Sequence, residues 1–129
     1  MQGSITGALG IPTLTLHDTG DGIAPVGHER SYADAVAHLG RSALLRQAFV
    51  ARANHCFFTG AVEITALQTL MTRVRTGNWP DTGAAALNST ADAFGPQYQQ
   101  MFSYYQPGTA TVAPAFIDTR PMPFIRGPQ

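Results

Sequence analysis

Two stretches carry side chains that could do acid–base chemistry. In Leu16-His17-Asp18-Thr19-Gly20-Asp21-Gly22-Ile23-Ala24-Pro25 a polar turn presents Asp21, and 34 positions further on Arg52-Ala53-Asn54-His55-Cys56 presents His55. A neutral imidazole can take the proton from a hydroxyl nucleophile, and an adjacent carboxylate fixes its tautomer and stabilises the imidazolium that forms. A carboxylate and an imidazole on neighbouring strand ends would meet that need. The same residues also admit a plainer reading, since Asp-Gly is a common turn signal and a loop histidine can simply face solvent.

Other chemistries fit less well. Asp18 and Glu29 are spaced like the first and last ligands of a calcium loop, but Gly20 and Gly22 fall at ligand positions and Ile23 replaces the required glycine. His17, Asp21 and His28 could in principle meet a zinc ion, yet no His-Glu-x-x-His motif or cysteine pair supports one, so no metal or cofactor is expected. Ser42, in Gly40-Arg41-Ser42-Ala43-Leu44, fails as a nucleophile elbow. Leu44 stands where a glycine belongs, and a helix precedes it where a strand should. Cys56 adjoins His55, but catalytic Cys–His pairs are usually distant in sequence, so it reads as a small packing residue. His17 and His38 read as structural.

The elements that would position Asp21 and His55 alternate strand and helix. Leu14 and Leu16 alternate with threonines between Pro12 and Gly20, which predicts a strand ending in the Asp21 turn. Tyr32, Ala35, Val36 and Leu39 share one face of a helix over 28–39 stopped by Gly40, a crossover to a parallel strand from about Leu44 to Val50. Thr59 is placed to cap a second long helix, with Glu63 favourable near its N-terminus and Gly77 as its stop. Leu67, Leu70, Met71 and Val74 predict its buried face. From Trp79-Pro80 onward the texture changes to an irregular tail holding six further prolines and Phe94, Tyr98, Phe102, Tyr104, Tyr105, Phe116 and Phe124. One short helix over 88–94 is expected there, with the rest extended and its aromatics buried singly. Trp79 is expected to anchor the tail.

Length and composition set the bounds. A chain of 129 residues holds one small domain or part of one. Formal net charge is zero and the cations, all Arg, are scattered, which argues against nucleic acid and a polybasic membrane patch as partners. No run of about 18 apolar residues exists, so no helical membrane span is expected. The one cysteine leaves the redox compartment open, and Met1–Ala8 does not read as a signal peptide, so localisation is unknown.

The acid turn and histidine loop resemble those of the α/β-hydrolase superfamily over roughly residues 11–77. Asp21-Gly22-Ile23-Ala24-Pro25 keeps the Asp and Pro of the family's Gly-x-x-Asp-x-x-Val-Pro turn, with Ala24 for Val and Asp18 where the Gly is expected. Asp18 is therefore a rival for the acid. Asn54-His55 stands in place of Gly-His, and Asn tolerates the left-handed backbone that a Gly would supply. The run from Leu45 to Thr59, with a helix ending Arg75-Thr76-Gly77-Asn78-Trp79, is similar to secreted bacterial hydrolases of this class.

The resemblance implies an α/β fold: the C-terminal fragment of such a domain over 1–78, with two parallel strands and two main helices, wrapped by the irregular tail over 79–129. It implies a serine hydrolase of ester or peptide bonds, with Asp21 as triad acid, His55 as general acid and base, and the nucleophile expected upstream. The chain alone is then inactive, its partner a small-molecule ester or peptide in the full-length protein, and its exposed sheet edges favour self-association. Secretion would follow from the resemblance alone. The alternative is a non-catalytic α/β interaction domain or truncated remnant.

Overall fold

A computed structural model describes residues 5–102 and 107–123; the expectations for Tyr104, Tyr105 and Phe124 lie outside them. The fold is α/β. Strand β1 (Thr13–Gly20) leads through helix α1 (Gly27–His38) and a 3-10 turn (Ser42–Leu44) into strand β2 (Leu45–Ala53). The two strands are parallel, with Thr13 opposite Leu45 and Asp18 opposite Val50. β2 runs three residues further than the sequence predicts. After it come helices α2 (Gly60–Thr76) and α3 (Ala84–Asp92) and the short strands β3 (Gln100–Phe102), β4 (Thr109–Thr111) and β5 (Phe116–Ile117).

Alternation along the strands sorts the helices onto two faces. Leu14, Leu16, Ala48 and Val50 join Ala61 and Val62 of α2, Leu87 and Ala91 of α3, and Phe116 in one core. On the opposite face Thr15 and Gln47 reach Glu29 of α1, at 2.5 and 2.7 Å.

Local signals set the ends of α2. The Thr59 hydroxyl accepts from the Val62 amide at 3.4 Å, and Gly77, at φ 77°, takes the left-handed conformation that closes the helix. Its expected buried face needs correction. Ala61, Val62, Thr65, Ala66 and Thr69 are the buried residues, whereas Leu67, Met71 and Val74 are exposed and Leu70 is half-buried. Small side chains let α2 lie close to the sheet and to α3, so three of its larger apolar side chains are left on the outer face.

The region beyond Trp79 is more regular than its prolines indicate. The helix there begins at Ala84, four residues earlier than expected, and β5 adds an antiparallel strand to β2, giving the order β1-β2-β5. Asn88 clasps β5 by accepting from the Phe116 amide at 2.8 Å and donating to its carbonyl at 2.9 Å. The aromatics are not all buried singly. Phe94 and Tyr98 pair with ring centroids 5.7 Å apart, Phe102 is exposed, and Phe116 is buried. Trp79 does anchor this region: its indole N–H donates to the Ala43 carbonyl at 2.9 Å, and the guanidinium groups of Arg46 and Arg73 lie 5.3 and 5.9 Å from its ring.

Candidate active site at the ends of two parallel strands

Because β1 and β2 are parallel neighbours, the loops that follow them leave from the same edge of the sheet. The pairing shifts between Asp18 and Gly20, so that Gly20 lies opposite Ala53. A side chain at Gly20 would place its Cβ 2.9 Å from the Arg52 carbonyl oxygen and 3.0 Å from the Ala53 Cα. Glycine is what allows the end of β1 to pass so close to the end of β2.

The structure brings Asp21 and His55 together there. His55 Nδ1 lies 2.7 Å from Asp21 Oδ2. The other carboxylate oxygen accepts from the amides of Ile23 and Ala24 at 2.8 and 2.9 Å, closing the turn on the side chain that gives it its shape. Asp21 is thus a turn residue and a partner of the imidazole at once. Burial pushes its carboxyl up in pKa, but the Ala24 amide, His55 and the Ile23 amide outweigh it and bring the group down to about 2. The Asp21 side chain is 4% exposed and that of His55 44%, so the imidazole is open to an approaching group while its acid is covered.

His55 sits between two residues with left-handed backbone, Asn54 at φ 81° and Cys56 at φ 52°. Asn adopts this conformation readily, as expected of Asn54; for Cys56 it is strained by about 1 kcal/mol. Cys56 also departs from the expected packing role. It is exposed, and its Sγ lies 3.5 Å from His55 Nε2, since the left-handed turn swings it outward beside its neighbour.

Asp18, the rival acid, is elsewhere. Its side chain points to the core face shared by Leu14 and Leu16 and is 1% exposed, with Oδ2 accepting from the Phe57 amide at 2.8 Å. Oδ1 is buried with no hydrogen-bond partner. Burial raises its pKa, opposed by the Phe57 amide and by Arg52, while the negative charge of Asp21 reinforces the rise. One signal for this placement was present in the sequence: an acid two and four positions after inward-facing leucines must itself point inward and find a donor.

The remaining candidates lie apart from this pair. His17 turns its Nδ1 to the Asp18 carbonyl at 2.8 Å, and exposed His38 ends α1. Ser42 precedes β2 and so lies at the opposite end of that strand from His55. Among the described residues no three His, Cys, Asp or Glu side chains are grouped to hold a metal ion. Two cavities of about 120 and 360 Å³ are lined in part by Gln47, Phe49 and Thr119, and neither reaches Asp21 or His55.

Comparison with known proteins adds one likeness. Over 83 residues, 64% of this chain, the sequence is 37% identical to o-phthalyl amidase of Xanthobacter agilis. The match covers 18% of that amidase, so the chain is similar to part of a hydrolase and spans under a fifth of its length. No protein-family model matches the chain, and no solved structure gives a significant match.

Proposed function

We propose that this chain supplies the acid and the base of a serine hydrolase of α/β-hydrolase type, with Asp21 orienting His55 and His55 moving the proton. The observation that carries this reading is the 2.7 Å contact between Asp21 Oδ2 and His55 Nδ1, made by side chains 34 residues apart on loops that follow parallel strands. With Nδ1 held by the carboxylate, Nε2, which has the Cys56 Sγ 3.5 Å away, is the nitrogen left to face a nucleophile. In such a mechanism Nε2 takes the proton of a serine hydroxyl as it attacks the carbonyl carbon, then returns it to the leaving group. The carboxylate stays ionised throughout. A pKa near 2 suits that role, because the acid must not take up the proton itself.

The serine comes from a part of the domain outside these 129 residues, in keeping with the much greater length of the amidase. Within the hydrolase body, α3 and β5 from the region beyond Trp79 pack with α2 on β1 and β2. No cofactor enters the reaction. The likeness to an amidase widens the substrate class from esters and peptides to other amides, and an amide bearing an o-phthalyl group is the first to try.

A chimera tests this reading: the amidase with its matching part replaced by this chain, assayed on a phthalyl amide and on a short-chain aryl ester. The chimera should hydrolyse at least one of them and should be stopped by a serine-directed phosphonate that labels a residue outside this chain. A folded chimera that hydrolyses with no sensitivity to the phosphonate contradicts the serine mechanism.

A further inference from the structure

The Asp18 side chain has no part in the chemistry just described, yet it is an acid buried to 1% exposure at the end of β1. An ionisable group taken so far from water needs a compensating role. Two hydrogen bonds point to one. The Asp18 carbonyl accepts from the Asp21 amide at 3.2 Å, and its carboxylate accepts from the Phe57 amide at 2.8 Å, 39 residues away. Asp18 is therefore bonded to both loops, to Asp21 itself in the first and to the residue two beyond His55 in the second.

Resting on the acid–base reading of Asp21 and His55, we propose that Asp18 is a positioning residue, which ties the histidine loop to the acid turn and so sets His55 against Asp21. The loop needs such a tie. Left-handed residues flank His55 on both sides, and a non-glycine residue holds that conformation only where its surroundings enforce it. Phe57 directly follows strained Cys56, so gripping its amide fixes where the turn ends. A carboxylate grips an amide more strongly than a neutral oxygen does, the more so when water is excluded. Burial disfavours the ionised form of Asp18, and the Phe57 amide and the positive charge of Arg52, just before the loop, partly offset it. Asp18 touches neither the imidazole nor a reacting group, so its effect passes through the loop.

NMR of the 129-residue chain tests this without any nucleophile. Asp18→Ala should abolish the slow hydrogen exchange of the Phe57 amide and convert His55 from a single Nδ1–H tautomer to a mixture, read from the imidazole nitrogen shifts. The amides of α2 should keep their protection. Asp18→Asn, which retains an oxygen acceptor for Phe57, should preserve both signals. In the amidase chimera, Asp18→Ala should lower kcat roughly 10- to 100-fold with KM little changed, and Asp18→Asn should recover most of it, as expected of a misplaced but intact base.

A folded Asp18→Ala chain that keeps the His55 tautomer and the Phe57 protection overturns the proposal. A folded Asp18→Asn chain that loses them overturns it too, and this variant decides if the alanine chain does not fold. The acid–base reading fails on a different result, a chimera whose activity is indifferent to His55→Ala. The two claims are thereby separable.

Discussion

Protonation distinguishes Asp18, in β1, from Asp21, in the turn that follows. Asp21, held at about 2 against an ordinary 3.8, binds its proton less readily in the folded chain than in the unfolded one. The stability it contributes is therefore full above the unfolded value and is lost as pH falls toward the folded one. Asp18 is shifted the other way, so its contribution is greatest below 3.8 and declines as pH rises through its raised pKa. In thermal melts, the gap in Tm between the native chain and Asp21→Asn should be widest above about pH 4 and close toward about pH 2. A gap independent of pH would show that the Asp21 carboxylate is not linked to folding in this way. The resemblance to α/β-hydrolases pointed to this pair, whereas the residue pattern alone allowed equally a plain turn aspartate and a solvent-facing histidine. The outward thiol of Cys56 was not legible in the sequence, since it depends on one left-handed residue that no side-chain pattern encodes.

At the scale of elements, the order strand, helix, strand, helix could be read from period and punctuation, whereas the orientation of α2 could not. Two stripes of α2 are apolar enough to pack, and periodicity favours the one with larger side chains. Closeness of approach selected the other. Leu67→Gln on the exposed stripe should leave Tm within about 2 °C of the native value, as surface changes usually do. Val62→Ala in the core should cost roughly 2 kcal/mol, from two lost methyl groups and the space they leave. The reverse ranking in urea denaturation would mean that α2 presents its larger face inward. Gly20→Ala belongs to the same scale. Its Cβ would press on the backbone of Arg52 and Ala53, so a loss of about 1–3 kcal/mol is expected, with a weakened Asp21–His55 contact. The contribution of β5 was hidden because two residues among prolines carry no periodic signal.

For the whole molecule, no strand covers the outer edge of β1 among the described residues, and Leu67, Met71 and Val74 are exposed on α2. Unpaired edges and apolar stripes favour association. Sedimentation of the isolated chain should show concentration-dependent oligomers, and a monodisperse monomer over a wide concentration range would contradict this. If Asp21 and His55 are the acid and base of a hydrolase completed by sequence outside this chain, the turnover rate of the amidase chimera depends on His55, and His55→Ala, with circular dichroism to confirm the fold, measures that dependence. Removing the base should lower kcat by roughly 10⁴- to 10⁶-fold. A folded His55→Ala chimera with undiminished kcat would mean that His55 is not the base.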